Sequence, residues 1–147
     1  MHVERTFTVR RPLEGVSAYL ADFRSTNDWD PGTVETTRTS GDGGVGTTYA
    51  NTSEFLGRRT SLTYTAQVVE TGRLRFEGRN DTAVTHDDLT LTPAGPGSTR
   101  IRYRADFDFG RLLNLVAPLF LARPLSALAD ETVAKMTQVL EEKVPAA

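Results

Sequence analysis

The sequence predicts an α+β fold in which a seven-stranded antiparallel sheet curls around one long C-terminal helix, with two short helices between strands 1 and 2. Three observations carry this. Residues 46–109 form alternating apolar and polar runs punctuated by Gly and Pro turns. Beyond Gly110 the apolar period becomes helical. The 147 residues hold no repeat, linker or low-complexity tract, so one domain spanning 1–147 is expected.

The first strand is read in Val3, Arg5, Phe7 and Val9, which alternate with His2, Glu4, Thr6 and Thr8 until Arg11-Pro12 ends the run. Pro12 suits the first turn of a helix, where its missing N–H is no loss. Leu13, Val16, Leu20 and Phe23 then recur at spacings of three and four. Residues 24–31 hold the only tryptophan, Trp29, expected to anchor the loop between the short helices and the sheet. A β-rich run over 33–39 closes at the turn Gly41-Asp42-Gly43-Gly44. Strands over 46–56 and 59–71 meet at Gly57, 73–80 follows Gly72, and 83–92 joins 99–109 through a loop holding Pro93, Gly95, Pro96 and Gly97. In the last strand Ile101, Tyr103, Ala105, Phe107 and Phe109 alternate without error against Arg100, Arg102, Arg104, Asp106 and Asp108, so one face must be buried and the other wet.

In the final helix Leu125, Leu128, Ala129, Thr132, Val133, Met136 and Leu140 share one stripe. The preceding apolar segment, Leu112 to Leu121, is expected to be set off by kinks at Pro118 and Pro124. Its leucines, Val116 and Phe120 are too many for one stripe, which predicts a lid over a cavity entrance, with a homodimer contact as the alternative cover. It is about half the ~20 residues needed to span a bilayer. Only Arg111 and Arg123 could meet an anionic surface, so no stable membrane insertion is expected.

Composition narrows the chemistry. The 17 basic and 19 acidic residues leave a net charge of −2, too little to recruit nucleic acid. The outward Arg73, Arg75, Arg79, Arg100, Arg102 and Arg104 share their parity with Glu77, Asp88 and Asp106, which predicts a solvated face of cross-strand ion pairs. Cysteine is absent, excluding disulfides, thiolate catalysis and Cys-based metal sites. Two histidines, at positions 2 and 86, offer no clustered metal-ligand set, so no metal and no cofactor are expected. Ser53, Ser61 and Ser126 have no identifiable base for a nucleophilic triad. The N-terminal eleven residues lack the apolar core of a signal peptide, so the chain reads as cytoplasmic.

The order of elements, Pro12 before the first helix, Trp29-Asp30-Pro31 before the second strand, Gly46 before the third, Gly72-Arg73-Leu74 before the fifth and Gly97-Ser98-Thr99-Arg100 before the last resemble the START/Bet v 1-like helix-grip superfamily (SRPBCC). Within it the likeness is to the bacterial polyketide cyclase/dehydrase-type branch and covers essentially the whole chain. It departs at Met136-Thr137, where many relatives have Leu-Lys. The resemblance implies a cavity between sheet and C-terminal helix for a hydrophobic or aromatic, polyketide- or lipid-like small molecule. It leaves open whether that molecule is cyclised or dehydrated, or only carried or sensed, because the superfamily shares no single catalytic motif.

Strand parity proposes the lining. Tyr49, Asn51, Ser53 and Phe55 share one face of the third strand; Leu62, Tyr64, Ala66 and Val68 follow on the fourth, Leu74 and Phe76 on the fifth, Leu89 and Leu91 on the sixth, and Tyr103, Ala105 and Phe107 on the seventh. Leu112, Val116, Phe120, Val133 and Met136 complete it from the helix side. Asn51 and Ser53 would orient a polar ligand edge. If Leu89 and Leu91 face in, so does Asp87, while His86 faces solvent. Burial would raise the pKa of Asp87 and leave it a proton donor. Asp87, Tyr49, Tyr64 and Tyr103 are therefore the candidate acid–base groups.

Overall fold

The computed structural model describes all 147 residues. Seven strands, β1 (His2–Val9), β2 (Thr33–Ser40), β3 (Thr48–Phe55), β4 (Arg58–Glu70), β5 (Arg73–Arg79), β6 (Val84–Pro93) and β7 (Thr99–Asp108), form one antiparallel sheet in the order β1-β7-β6-β5-β4-β3-β2. From β2 to β7 the chain advances by one neighbour at each hairpin, and β1 closes beside β7. Between β1 and β2 lie α1 (Leu13–Ala21), a 3-10 turn (Phe23–Ser25) and α2 (Thr26–Trp29). Pro12 takes the extended cap position before α1 instead of its first turn.

The expected break in the C-terminal helix is absent: α3 runs continuously over Arg111–Lys143, with Pro118 and Pro124 inside it. Each proline lacks one N–H, so the carbonyls of Asn114 and Phe120 lose their helical donors while the flanking turns continue. The start of α3 is tied down by side chains. Asp108 accepts bonds from Gly110 N–H at 3.0 Å and Asn114 Nδ2 at 2.8 Å, and Asn114 Oδ1 accepts from Phe109 N–H at 2.8 Å. By length and composition alone α3 could cross a membrane, but its second half is committed to the core. Leu125, Ala129, Thr132, Met136 and Leu140 recur at three- and four-residue spacing and are buried. In the first half only Ala117 is.

One apolar cluster joins Val16 and Leu20 of α1, Phe23 and Trp29 of the connecting segment, the inward residues of the sheet, and Met136, Val139, Leu140 and Val144. Ion pairs and hydrogen bonds clamp α3 and its C-cap to β1 and the residues that follow it. Arg5 Nε meets Asp130 at 2.9 Å and Arg5 Nη2 meets Ser126 Oγ at 2.8 Å, while Arg11 Nε donates to the carbonyl of Val144 at 2.7 Å.

The expected inward parity fails at one place. A bulge between Ala66 and Val68 shifts the register of β4, so Val69, opposite Leu74, packs on the core where Val68 was expected.

Candidate functional site: a buried carboxyl on the inner face of the sheet

Asp87 lies on the inner face of β6 with Thr85, Leu89 and Leu91, and is 9% exposed. Its neighbour His86 points outward, where its Nε2 lies 3.0 Å from Glu77 Oε2. Tyr103 of β7 donates a hydrogen bond of 2.7 Å to Asp87 Oδ1. Burial pushes the pKa of Asp87 up to about 7; the Tyr103 bond opposes this, and the nearby charge of Asp30 adds to it. Burial likewise lifts Tyr103 well above the ordinary phenol range, reinforced by the charges of Asp87 and Asp30, so Tyr103 acts as a hydrogen-bond donor and not as a phenolate.

Tyr64 joins from β4. Its hydroxyl accepts a bond of 3.3 Å from Thr85, and burial together with the charge of Asp87 raises its pKa. The Tyr64 ring needs Gly78 beneath it, because a Cβ there would lie 2.7 Å from Tyr64 Cζ and 2.6 Å from Thr85 Oγ1. Trp29 packs edge-on against Tyr103 at 5.9 Å and bonds Ser25 Oγ through Nε1 at 3.0 Å, which fixes the loop as expected and also sets one wall of the site.

Asp30 is the residue that strand parity did not point to. It lies just after α2, where its carboxylate accepts bonds of 2.9 Å from Gly32 N–H and Thr33 Oγ1. Burial raises its pKa against those two bonds and the charge of Lys135. Its only sequence cue is Trp29-Asp30-Pro31.

Other expected site residues fall elsewhere. Tyr49 does not join Asp87: its ring packs on Phe23 at 5.7 Å and Phe76 at 6.4 Å, and its buried hydroxyl has no partner. Asn51 and Ser53 satisfy one another and their neighbours. Asn51 Nδ2 donates to Thr36 Oγ1 at 2.8 Å and Thr33 Oγ1 at 3.3 Å, and its Oδ1 accepts from Ser53 at 2.6 Å. This chain of bonds reaches Asp30 through Thr33. Phe76, Leu89, Leu91 and Met136 are core residues with at most 2% exposure. Phe55, Leu62, Phe107 and Val133 are half-buried, Ala105 is buried opposite Asp87, and Phe107 stacks on Phe109 at 6.2 Å. Leu112, Val116 and Phe120 are 81%, 43% and 73% exposed, so the first half of α3 covers no ligand space in this state. Two prominent grooves mark the surface, and both are lined chiefly by polar residues.

Residues 1–141 match the family described as polyketide cyclase / dehydrase and lipid transport. The chain belongs to this family. Solved structures that it resembles include an aromatase/cyclase. Zhui aromatase/cyclase from Streptomyces sp. R1128 is 14% identical, with 95% of each chain covered and a TM-score of 0.72. A START superfamily protein from Mycobacterium smegmatis is 17% identical over 97% of this chain and 96% of that one, TM-score 0.69. TTHA0849 from Thermus thermophilus is 14% identical over 97% and 99%, TM-score 0.79. At these identities the likeness is one of fold, and it confirms the helix grip. No curated protein matches the chain.

Proposed function

We propose that this member of the polyketide cyclase/dehydrase family binds a hydrophobic, aromatic small molecule between the inner face of β5–β7 and the first half of α3, and that Asp87 is its proton donor. The observation that carries the reading is the Tyr103–Asp87 pair: a carboxyl fixed on the inner face of the sheet beside the apolar core and protonated up to about pH 7. Family membership, the half-buried Phe107, Phe109 and Val133, and the exposed apolar residues of the first half of α3 support the apolar ligand.

The chemistry suited to one such acid is dehydration of a cyclised β-hydroxy carbonyl. The Asp87 carboxyl protonates the leaving hydroxyl as its C–O bond breaks and water departs. The resulting carboxylate removes the proton from the adjacent carbon, whose C–H electrons form the new double bond, and the acid is restored. Tyr103 holds the carboxyl in place. The alternative reading, a carrier or sensor without chemistry, is favoured by the exposed Leu112, Leu115, Leu119 and Phe120, which suit capture and release.

Trp29, the only tryptophan, reports on the site through its contact with Tyr103. Titration with 1-naphthol should change its emission saturably, and Ala105→Phe, which sets a bulky ring directly opposite Asp87, should weaken that binding at least tenfold. Unsaturable or unchanged emission with the wild-type chain, confirmed by equilibrium dialysis, would remove the binding reading. Retained binding by Asp87→Asn with lost dehydration of a β-hydroxy ketone would support catalysis, and no turnover by the wild type would leave the carrier.

A further inference from the structure

On the outer face of the sheet the side chains stand in cross-strand rows. Arg73, Thr90 and Arg102 form one row, and Arg75, Asp88 and Arg104 form the next. Together with Asp106 these residues line a groove of about 540 Å³ that contains no apolar side chain. This falls within the ~300–1,000 Å³ of small-molecule sites, but its chemistry is the reverse of the inner face.

Ion pairing does not exhaust these arginines. Arg73 and Arg75 share a single carboxylate, Asp88, at 2.9 and 2.8 Å. Arg102 lines the groove and pairs with Glu4 of β1, outside it, at 2.9 Å, and Arg104 pairs with Asp106 at 2.9 Å. The groove therefore sets four arginines against two carboxylates, Asp88 and Asp106, around the half-buried Thr90, which stands between Arg73 and Arg102 in the register. The lining keeps a surplus of positive charge that a bound anion would offset. Guanidinium forks and a hydroxyl donor match the oxygens of a phosphate group.

We propose that this groove binds a phosphate-bearing small molecule, with its phosphate seated over Thr90 between Arg73 and Arg102. The ligand is polar and anionic, and it occupies the face of the sheet opposite Asp87, so the proposal stands or falls independently of the inner site. The shared chemistry is the phosphate dianion, whether free or as part of a nucleotide.

The test is an NMR titration of amide resonances in the full chain at pH 7.5, with sodium phosphate in one arm and adenosine 5′-monophosphate in the other, sodium chloride keeping ionic strength constant. Saturable shifts at outward positions of β5–β7 are expected in at least one arm. Equal affinities would assign the site to phosphate alone, and tighter binding of the nucleotide would assign it to a phosphorylated metabolite. Thr90→Val should weaken binding about tenfold, Thr90→Ser should restore it, and Arg102→Gln should abolish it. Arg100→Gln, on the same face but outside the groove, should leave it unchanged. Unsaturable shifts in both arms, or equal losses in Thr90→Ser, Thr90→Val and Arg100→Gln, would reduce the groove to general charge attraction and overturn the proposal.

Discussion

Tyr103 reaches Asp87 along the diagonal of the β6–β7 pair. In the register Asp87 stands opposite Ala105 and Tyr103 opposite Leu89, yet the phenol spans the offset to donate its 2.7 Å bond. The residue directly opposite Asp87, Ala105, is small and does not obstruct this diagonal reach. Only one hydrogen-bond donor reaches Asp87, through Oδ1, so the group is oriented without being neutralised by a cation. Burial, with the charge of Asp30 and no cation to offset it, keeps the proton on the carboxyl near neutrality against the opposing Tyr103 bond.

Stability should fall as pH rises through the window set by Asp87. Its native pKa is about 7, whereas an unfolded chain releases the proton near 4, so between those values the native state holds one more proton. More protons on the native side make the slope of unfolding free energy with pH negative. The contribution is present below about pH 4, is lost by about pH 7, and amounts to a few kcal/mol at ~1.4 kcal/mol per unit. Asp30, also raised, adds in the same direction. Urea unfolding at pH 5 and pH 8 should show a smaller difference in Asp87→Asn than in the wild type; an equally steep profile in the variant would contradict the assignment.

Tyr103→Phe should move the Asp87 titration upward from about 7. The phenol bond favours the charged carboxylate, so its removal leaves burial and the charge of Asp30 less opposed. Carbon-13 detection of the side-chain carboxyl follows this directly. A downward movement would mean that water or another donor replaces Tyr103 with a stronger bond.

The β3–β4 hairpin carries local strain that can be relieved. Phe55 pairs with Arg58, leaving a two-residue turn in which both Leu56 (φ 52°) and Gly57 (φ 76°) are left-handed. Such turns favour Asn-Gly, and a leucine in this region costs about 1–2 kcal/mol. Leu56 is 63% exposed and has little packing to lose. Leu56→Asn should therefore raise the melting temperature by about 2–4 °C, a gain of about 1 kcal/mol in a chain of this size. An unchanged or lower value in a thermal melt would show that the leucine side chain is held by contacts of its own.

The parts of this site that could be read from the sequence are those governed by strand alternation. Once Leu89 and Leu91 face the core, Asp87 must accompany them and His86 must leave, as found. The outer ion pairs follow from the same parity. Alternation is blind to a bulge, and Ala66-Gln67-Val68-Val69, with two adjacent valines, gives no cue as to which one is inward. Asp30 is missed because its place beside Asp87 depends on the chain's path after α2, held by a local turn to Gly32 and Thr33. Tyr49 shows the reverse failure: it has the correct parity, but Phe23 and Phe76 enclose its ring away from the carboxyl.

The prolines of α3 are the other departure, and they divide the helix into halves of unequal stability. Pro118 and Pro124 do not break the helix, but each deletes a backbone bond in a half that buries only Ala117, whereas the half after Pro124 is fixed by the core from Leu125 to Leu140. Amides at 112–123 should therefore exchange with solvent orders of magnitude faster than those at 128–140, and 1-naphthol should slow the first set alone if that half closes over the ligand. Pro118→Ala replaces a residue disfavoured in helices by ~3 kcal/mol with the most favourable one, so it should protect the first half without ligand. Uniform slow exchange along the whole of α3 in the ligand-free wild type would show a rigid element, and entry would then have to occur elsewhere.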